Sequence, residues 1–302
     1  MSFLDIVDER FRALTIGDAA LELLYGGGQW LEGPLWLDES EALLFSDIPA
    51  DRVLRWTAGE GVSMLLAPAD FQNGRARDRE GRVVACEHGG RRLVRYELDG
   101  RVGTLCDHHG GRRLNSPNDV VVKRDGSIWF TDPDYGILSD YEGHRAPREQ
   151  DACHLFRLDP GEREPIAVAS HMVRPNGLAF DLREAVLYVA DSGGSHTADG
   201  SPHHIRRFAV QPDRSLVDLG VFAEVAPGFP DGIAVDELGN VWTSAGDGVH
   251  CFDPSGTLLG RVLVPETVSN LCFGGARGDR LFITATRSLY ALSLAIRGDS
   301  SL

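Results

Sequence analysis

Short hydrophobic runs alternate with polar, glycine-containing turns along most of the chain. Six times, a polar residue leads an apolar run, a polar turn and a second apolar run, as in NDVVVKRDGSIWFTDP from Asn118 and DGIAVDELGNVWTSAG from Asp231. The copies begin roughly 40 to 60 residues apart, a spacing close to that of propeller repeats. Units of four short strands at this spacing are typical of propeller blades. The pattern therefore predicts an all-β fold, a six-bladed β-propeller with four antiparallel strands per blade.

The two ends of the chain are predicted to meet in one blade. The sixth copy ends one strand short, while the segment ALELLYGG at 20–27 has a strand pattern and precedes the first copy. An N-terminal strand that completes the last blade would close the ring and remove an unpaired sheet edge. We therefore expect an N-terminal arm or short helix over residues 1–19 and a single propeller domain over residues 20–302.

The leading residue of each copy is a candidate hub residue. Equivalent positions of propeller blades face one axis, so these side chains are predicted to point at a common centre. Asn and Asp before a strand also cap turns with their own side chains. Six such residues in register, two of them acidic, favour a shared inward role. They are Glu32, Asn73, Asn118, Asn176, Asp231 and Asn270.

This set of side chains suits a hard cation. It contains carboxylate and amide oxygens and neither Cys nor His, whereas zinc and copper favour sulfur and nitrogen ligands. Calcium accepts six to eight oxygens in loose geometry. One divalent ion, Ca²⁺ in first place, is the expected cofactor, and Mg²⁺, Mn²⁺ or Zn²⁺ could substitute. Glu32 and Asp231 carry the charge and are the strongest candidates, followed by Asn118 and Asn176.

A cation held by a few protein oxygens predicts hydrolytic chemistry. It can polarise a carbonyl or phosphoryl oxygen, and a neighbouring carboxylate can act as general base toward water. An ester, a lactone or a phosphoester would be a suitable substrate. The sequence contains no GxSxG, HExxH or GxxxxGK[ST] motif, which argues against other hydrolase and nucleotide-binding classes.

The second strand of each blade should return to the face that carries the hub residues. The predicted ends of these strands, at Asp47, Glu87 or His88, Asp132 and Asp191, are therefore expected around one mouth. Long polar loops follow at 133–153 and 193–203, and loops of this length are often functional. We expect them to wall or cover the mouth.

Charge and cysteine content narrow the partners and the compartment. The net charge of −15 argues against nucleic acid and against anionic membranes, and it favours a cation or a small molecule. Five cysteines lack any CxxC pairing, and the N-terminus lacks the features of a signal peptide. A cytoplasmic protein with buried thiols is expected, as a monomer or a small homo-oligomer.

The chain resembles the gluconolactonase/regucalcin (senescence marker protein) family of six-bladed propellers. The resemblance runs from about Phe11 to Leu294 and rests on EGPLW at 32–36, NG at 73–74, PNGLAFD at 175–181, PDGIAVDELGNVW at 230–242 and NLCFGG at 270–275. The segment LNSPNDVVVKRDGSIWFTDPDYG at 114–136 is more similar to the bacterial gluconolactonase branch than to the animal branch.

The resemblance implies a set of functional residues. A single divalent ion would be held by Glu32, Asn118, Asn176 and Asp231, and Asp231 would act as general base or nucleophile. The animal branch has an arginine where this chain has Ser116, and Arg113 is the expected replacement. Expected substrate contacts are Asn118, Asn73, Arg113, Tyr135 and Asn270.

Three functions remain open from the sequence. The first is hydrolysis of a sugar lactone such as D-glucono-1,5-lactone to its aldonic acid, with the cation polarising the carbonyl and Asp231 activating water. The second is a calcium-dependent phosphotriesterase of the diisopropyl-fluorophosphatase type. The third is a calcium-binding propeller without catalysis.

Overall fold

The computed structural model describes residues 3–197 and 201–299. Nearly all regular structure is β, and the strands form six sheets arranged as propeller blades, which confirms the predicted fold class. Within each blade, neighbouring strands pair antiparallel in chain order, so the first strand is innermost. No helix in the described part of the chain has the length and apolar character of a membrane span.

The N-terminal segment and blade one come first along the chain. Strand β1 (Leu4–Ile6) and a 3₁₀ helix (Glu9–Ala13) precede β2 (Glu22–Tyr25). Blade one contains β3 (Leu31–Leu37), β4 (Ala42–Asp47), β5 (Arg52–Thr57) and β6 (Gly61–Leu66), with 3₁₀ turns at Asp38–Ser40 and Ile48–Ala50.

Blades two and three are separated by a small hairpin. Blade two contains β7 (Gln72–Arg77), β8 (Val83–Glu87), β9 (Arg92–Tyr96) and β10 (Val102–Cys106), and the hairpin pairs β11 (His108–His109) with β12 (Arg112–Arg113). Blade three contains β13 (Val120–Val122), β14 (Ile128–Asp132), the short helix α1 (Tyr135–Leu138), β15 (His154–Leu158) and β16 (Ile166–Ala169).

Blades four to six complete the ring. Blade four contains β17 (Pro175–Phe180), β18 (Val186–Asp191), a 3₁₀ helix (Gly193–His196), β19 (His204–Val210) and β20 (Leu216–Glu224). Blade five contains β21 (Ile233–Val235), β22 (Val241–Ala245), β23 (Gly248–Phe252) and β24 (Leu258–Leu263). Blade six contains β25 (Val268–Gly274), β26 (Arg280–Ala285) and β27 (Leu289–Ser293).

The outer strand of blade six comes from the beginning of the chain. Strand β2 pairs antiparallel with β27, with Glu22 opposite Ala291 and Leu23 opposite Tyr290. The sheet order is β2-β27-β26-β25, so the last blade also has four strands. This is the closure that the pattern at 20–27 predicted.

The residues before β2 add a further strand to blade five. Strand β1 pairs with β24, which makes this sheet five-stranded. Asp8 caps the following 3₁₀ helix by accepting a hydrogen bond from the backbone N–H of Arg10 at 2.9 Å. This helix buries Phe11 completely, with its ring centroid 5.8 Å from that of Trp242. The arm is thus fixed to the propeller by backbone pairing and by one aromatic contact.

The hydrophobic core lies between neighbouring blades. One cluster of buried side chains joins blades two and three, another joins blades four and five, and a third joins blades six and one. Cys86, Cys106, Cys153 and Cys251 are buried, and they and Cys272 are free thiols. Because the sheets pack face to face around an axis, their innermost strands bring the hub residues together.

Candidate functional site at the propeller hub

The six predicted hub residues form one closed ring. Glu32, Asn73, Asn176 and Asn270 lie on the innermost strands β3, β7, β17 and β25, while Asn118 and Asp231 lie two residues before β13 and β21. Five of the six are buried, and Asp231 is partly exposed. Their positions at equivalent points of six blades place the side chains around the central axis.

Contacts between blades connect three of the six neighbouring pairs of ring positions. The backbone N–H of Gly74 donates to the carbonyl oxygen of Asn118 at 2.8 Å, and that of Gly177 donates to the carbonyl of Asp231 at 3.0 Å. Asn270 Nδ2 donates to Glu32 Oε2 at 3.1 Å, which joins the last blade to the first. At these junctions, the residues that lead neighbouring sequence copies therefore lie next to one another around the axis.

Glycines after the ring residues allow the blades to approach the axis closely. A Cβ on Gly33 would lie 2.1 Å from the carbonyl oxygen of Asn73, one on Gly177 would lie 2.0 Å from that of Asp231, and one on Gly232 would lie 2.0 Å from Asn270 Oδ1. Real Cβ atoms do not come this close to other heavy atoms, so these positions require glycine.

The two acidic ring members lie in surroundings that disfavour their charged forms. Burial raises the pKa of Glu32 to about 8, although hydrogen bonds from Gly33 N–H and Asn270 oppose this rise. Burial also raises the pKa of Asp231 well above its usual value, and the carboxylates of Glu32, Asp119 and Glu142 raise it further. Like charges in one site disfavour ionisation. Among the described residues, no positive group lowers the pKa of Asp231 against the effect of these carboxylates.

Two polar groups beneath the ring were missed by sequence reasoning. Asp119 follows a ring residue where four of the other five copies have glycine, and burial raises its pKa to about 6. Arg75 is buried and donates to the carbonyl of Gly33 and to Ser46 Oγ. Both line a channel of about 950 Å³ that opens on the face opposite the mouth. The sequence could have indicated Asp119, because an acidic residue stands there in place of glycine.

Asn73 and Asn270 each have the side-chain amide nitrogen engaged with a protein partner. Asn73 Nδ2 lies 3.4 Å from His88 Nε2. Asn270 donates to Glu32 and accepts from the backbone N–H of Leu271 at 2.8 Å. By contrast, the side-chain groups of Asn118, Asn176 and Asp231 form no hydrogen bond to another described residue and are not sealed from solvent.

The other two predicted substrate contacts lie at different distances from the hub. The pKa of Tyr135 is raised, mainly by burial, and the Asp231 carboxylate adds to the rise, which places the phenol near the ring. Arg113 lies in the hairpin after blade two, where its guanidinium donates to the carbonyl of Gly90 at 2.8 Å. No contact between Arg113 and a ring residue is present among the described residues.

Both long loops lie at the mouth, on the side of the ring where the second strands end. The Tyr135 hydroxyl lies 3.3 Å from Ser195 Oγ, so the loop at 133–153 touches the loop that follows β18. Arg174 forms an ion pair with Asp134 at 2.7 Å and lies over the Tyr135 ring. Within the loop predicted at 193–203, residues 198–200 lie outside the described residues.

Glu142 is a third acidic group near the ring carboxylates. It raises the pKa of both Glu32 and Asp231, and burial raises its own pKa to about 7. Its carbonyl oxygen lies 2.9 Å from His88 Nδ1. Glu142 has no equivalent in the repeat because it lies in an insertion, so the register could not place it.

Comparison with known proteins places this arrangement in a family. The SMP-30/gluconolactonase/LRE-like region matches residues 30–287, a span that includes all six ring residues. The chain belongs to the SMP-30/gluconolactonase family. The family resemblance inferred from sequence is therefore confirmed.

Several named relatives of this SMP-30/gluconolactonase family member are lactonases, and others are regucalcins. It is 30% identical to a gluconolactonase of Zymomonas mobilis, with 93% of this chain and 83% of the relative covered. It is 28% identical to a pentonolactonase of Haloferax volcanii, with 84% and 80% covered. The solved structure of a gluconolactonase from Xanthomonas campestris shares 40% identity and a TM-score of 0.89, with 96% of this chain and 94% of that chain covered.

The ring of this family member fits a hard divalent cation. Among the described residues no group of three or more His, Cys, Asp and Glu side chains has the arrangement of a metal site. A cation at the hub would therefore depend on amide oxygens as well as on Glu32 and Asp231. The open amides of Asn118 and Asn176 could supply such oxygens, and a cation beside Asp231 would favour the ionised form that burial and the neighbouring carboxylates disfavour.

Proposed function

We propose that this protein hydrolyses a sugar lactone, such as D-glucono-1,5-lactone, to the corresponding aldonic acid, and that it uses one divalent cation, Ca²⁺ in first place. The lactonase names of its relatives support the reaction class. The observation that carries the proposal is the set of oxygens at the hub, in which the partly exposed Asp231 lies with Glu32 and with the open side chains of Asn118 and Asn176.

Glu32, Asn118, Asn176 and Asp231 would hold the ion. When bound, a divalent cation supplies positive charge that stabilises the negative charge developing on a lactone carbonyl oxygen. Asn270 keeps Glu32 in place through its hydrogen bond to Oε2. Asn118 belongs to this set, and its open amide would also orient the substrate.

Asp231 would perform the proton transfer. Its carboxylate takes a proton from a water molecule, and the water oxygen adds to the carbonyl carbon of the lactone. The bond between that carbon and the ring oxygen then breaks, and Asp231 returns the proton to the ring oxygen, which leaves as the hydroxyl group of the open acid. Asp231 must be ionised to act as base, and neighbouring acidic groups oppose this. Positive charge in the ring would lower the pKa of Asp231 and so favour its ionised form.

A pH-stat assay of lactone hydrolysis tests the proposal. The protein is treated with a chelator and reloaded with single metals, and wild type is compared with Asp231→Asn and Glu32→Gln. Asp213→Asn is the matched control, because Asp213 is an exposed turn residue that bonds Ser215 away from the hub. We expect both hub variants to lose about 10²- to 10⁴-fold in turnover and the control to keep it. Full turnover in both hub variants would refute the proposal.

The other two functions considered for this sequence share the ring and are outcomes of the same assay. Faster turnover of an organophosphate than of any lactone would indicate a phosphotriesterase, and cation binding without turnover would indicate a binding protein. A cytoplasmic location and a monomeric or small oligomeric state stay predictions.

A further inference from the structure

A fully buried histidine connects the ring to the loop that walls the mouth. His88 directly follows β8 and has no exposed surface. One ring nitrogen, Nδ1, lies 2.9 Å from the carbonyl oxygen of Glu142, and the other, Nε2, lies 3.4 Å from Asn73 Nδ2. His88 thus contacts a ring residue on one side and the loop at 133–153 on the other.

The chemistry of these two contacts determines the tautomer of His88. A backbone carbonyl can only accept a hydrogen bond, so Nδ1 must carry the proton. Burial lowers the pKa of His88 to about 4, so the ring is neutral near pH 7 and Nε2 carries a lone pair. Nε2 can therefore only accept, and Asn73 must donate to it from Nδ2.

The tautomer in turn determines how the Asn73 amide is oriented. An asparagine amide can present either its nitrogen or its oxygen to a neighbour. With Nδ2 held by His88, Asn73 Oδ1 is turned away from the imidazole and accepts no hydrogen bond from any other described residue. Asn73 is a ring member, so this open acceptor lies at the hub.

The loop is packed tightly against His88 at the same point. A Cβ on Gly136 would lie 2.6 Å from the Cβ of His88. The backbone N–H of Gly136 donates to Ser116 Oγ at 3.0 Å, and its carbonyl accepts from the N–H of His144 at 3.0 Å. His144 in turn packs edge-on against Phe71. The loop therefore has a defined position relative to the ring, and His88 is part of what defines it.

We propose that His88 is a positioning residue for the substrate. As its Nδ1–H tautomer, His88 turns Asn73 Oδ1 toward the hub, where this oxygen accepts a hydrogen bond from a hydroxyl group of the sugar lactone. His88 also holds Glu142 at the mouth. This assignment rests on the proposed lactonase function, because it requires a polyhydroxylated substrate. Without the Nε2 acceptor, the Asn73 amide could rotate and place its N–H donor where the substrate places a hydroxyl donor. Two donors that face each other cannot form a hydrogen bond.

Two His88 variants and one control test this role. His88→Leu removes both hydrogen bonds, whereas the side-chain oxygen of His88→Gln can reach the Nε2 position and accept from Asn73. The control is His250→Gln, because His250 is equally buried but bonds Asp247 on blade five, away from Asn73. We expect His88→Leu to lose about tenfold in kcat/KM for a lactone, the effect of one hydrogen bond. His88→Gln should recover most of this loss, and His250→Gln should show none.

A double-mutant cycle separates positioning from a general effect on folding. If His88 acts through Asn73, His88→Leu and Asn73→Ala together should cost no more than Asn73→Ala alone. All variants should keep the wild-type cation affinity, measured by calorimetry. Additive losses, or equal losses in His88→Leu and His250→Gln, would overturn the proposal.

Nitrogen NMR of the imidazole tests the tautomer without any activity measurement. In ¹⁵N-histidine-labelled wild type near pH 7, we expect Nδ1 protonated and Nε2 unprotonated at His88. The opposite tautomer or a charged ring would contradict the inference. If wild type hydrolyses no lactone, the lactonase proposal fails. The tautomer of His88 and the cation affinities are still measured in that case, so failure of the lactonase proposal can be told apart from failure of the role of His88.

Discussion

Asn270 donates from its side-chain nitrogen to Glu32 Oε2 at 3.1 Å, across the junction between the last blade and the first. The oxygen of the same amide accepts from the backbone N–H of Leu271. Asn270 therefore orients the more deeply buried of the two ring carboxylates, and its role as a substrate contact stays a prediction. Residues that orient a metal ligand commonly matter nearly as much as the ligand itself.

Replacing Asn270 with alanine should weaken cation binding more than it weakens the fold. Glu32 would lose its donor, and we expect the cation affinity to fall by about 10- to 100-fold. Asn240→Ala is the matched control, because Asn240 donates to the Asp236 carboxylate at 2.8 Å in a turn outside the ring. Calorimetric titration and chemical denaturation of both variants measure the two effects. Equal cation affinities in the two variants would contradict the role of Asn270.

A methyl group at Gly232 should disrupt the ring. Its Cβ would lie 2.0 Å from Asn270 Oδ1, so the backbone or the Asn270 side chain must move. We expect Gly232→Ala to lower both the midpoint of thermal unfolding and the cation affinity. Gly103→Ala is the control, because no heavy atom lies within 4 Å of a Cβ there. Wild-type affinity in Gly232→Ala would show that the ring tolerates displacement.

Truncating Phe11 should destabilise the protein without changing catalysis. Phe11 is fully buried against Trp242 on blade five, and large-to-small changes of buried aromatic residues cost about 3–5 kcal/mol of unfolding free energy. Chemical denaturation of Phe11→Ala measures this loss. At a temperature where the variant is folded, kcat and KM for a lactone should match wild type, because the arm lies on an outer strand. A large change in kcat would indicate that the arm reaches the hub.

The buried His88 should make the protein less stable in mild acid. Burial lowers its pKa in the folded state from 6.5 to about 4, so the unfolded chain binds a proton between these values that the folded chain does not. This destabilising contribution of His88 is absent above pH 6.5, and the free energy of unfolding falls as the pH drops toward 4. Because other groups also titrate there, the test compares wild type with His88→Gln by denaturation at pH 7, 5.5 and 4.5. A constant difference across this range would contradict the prediction.

The fold and the ring register could be predicted from sequence for one physical reason. Each blade must alternate inward and outward positions to bury its faces, so the leading residue of every copy is forced to the same place relative to the axis. The strand at 20–27 was identifiable because the last copy lacked a partner for β27. The pairing of β1 with β24 was not, because three residues carry too little pattern to indicate which distant edge they join.

The mouth could not be predicted in the same way. Glu142, Arg174 and His196 lie in or beside loops that have no equivalent in other copies, and their positions depend on contacts such as the ion pair between Arg174 and Asp134. Arg113 was predicted to replace the arginine that the animal branch has at the position of Ser116, but the small hairpin before blade three holds it against Gly90. Its role as a substrate contact stays a prediction.

Calorimetric titration of the chelator-treated protein with calcium tests the central claim most directly. We expect one ion per chain in wild type, and we expect this binding to disappear in the Glu32→Gln, Asp231→Asn double variant, with thermal unfolding confirming that the variant is folded. Lactone turnover measured on the same samples should follow the bound fraction. Unchanged stoichiometry and affinity in the folded double variant, or full turnover without a bound ion, would contradict the claim that the hub holds a catalytic cation.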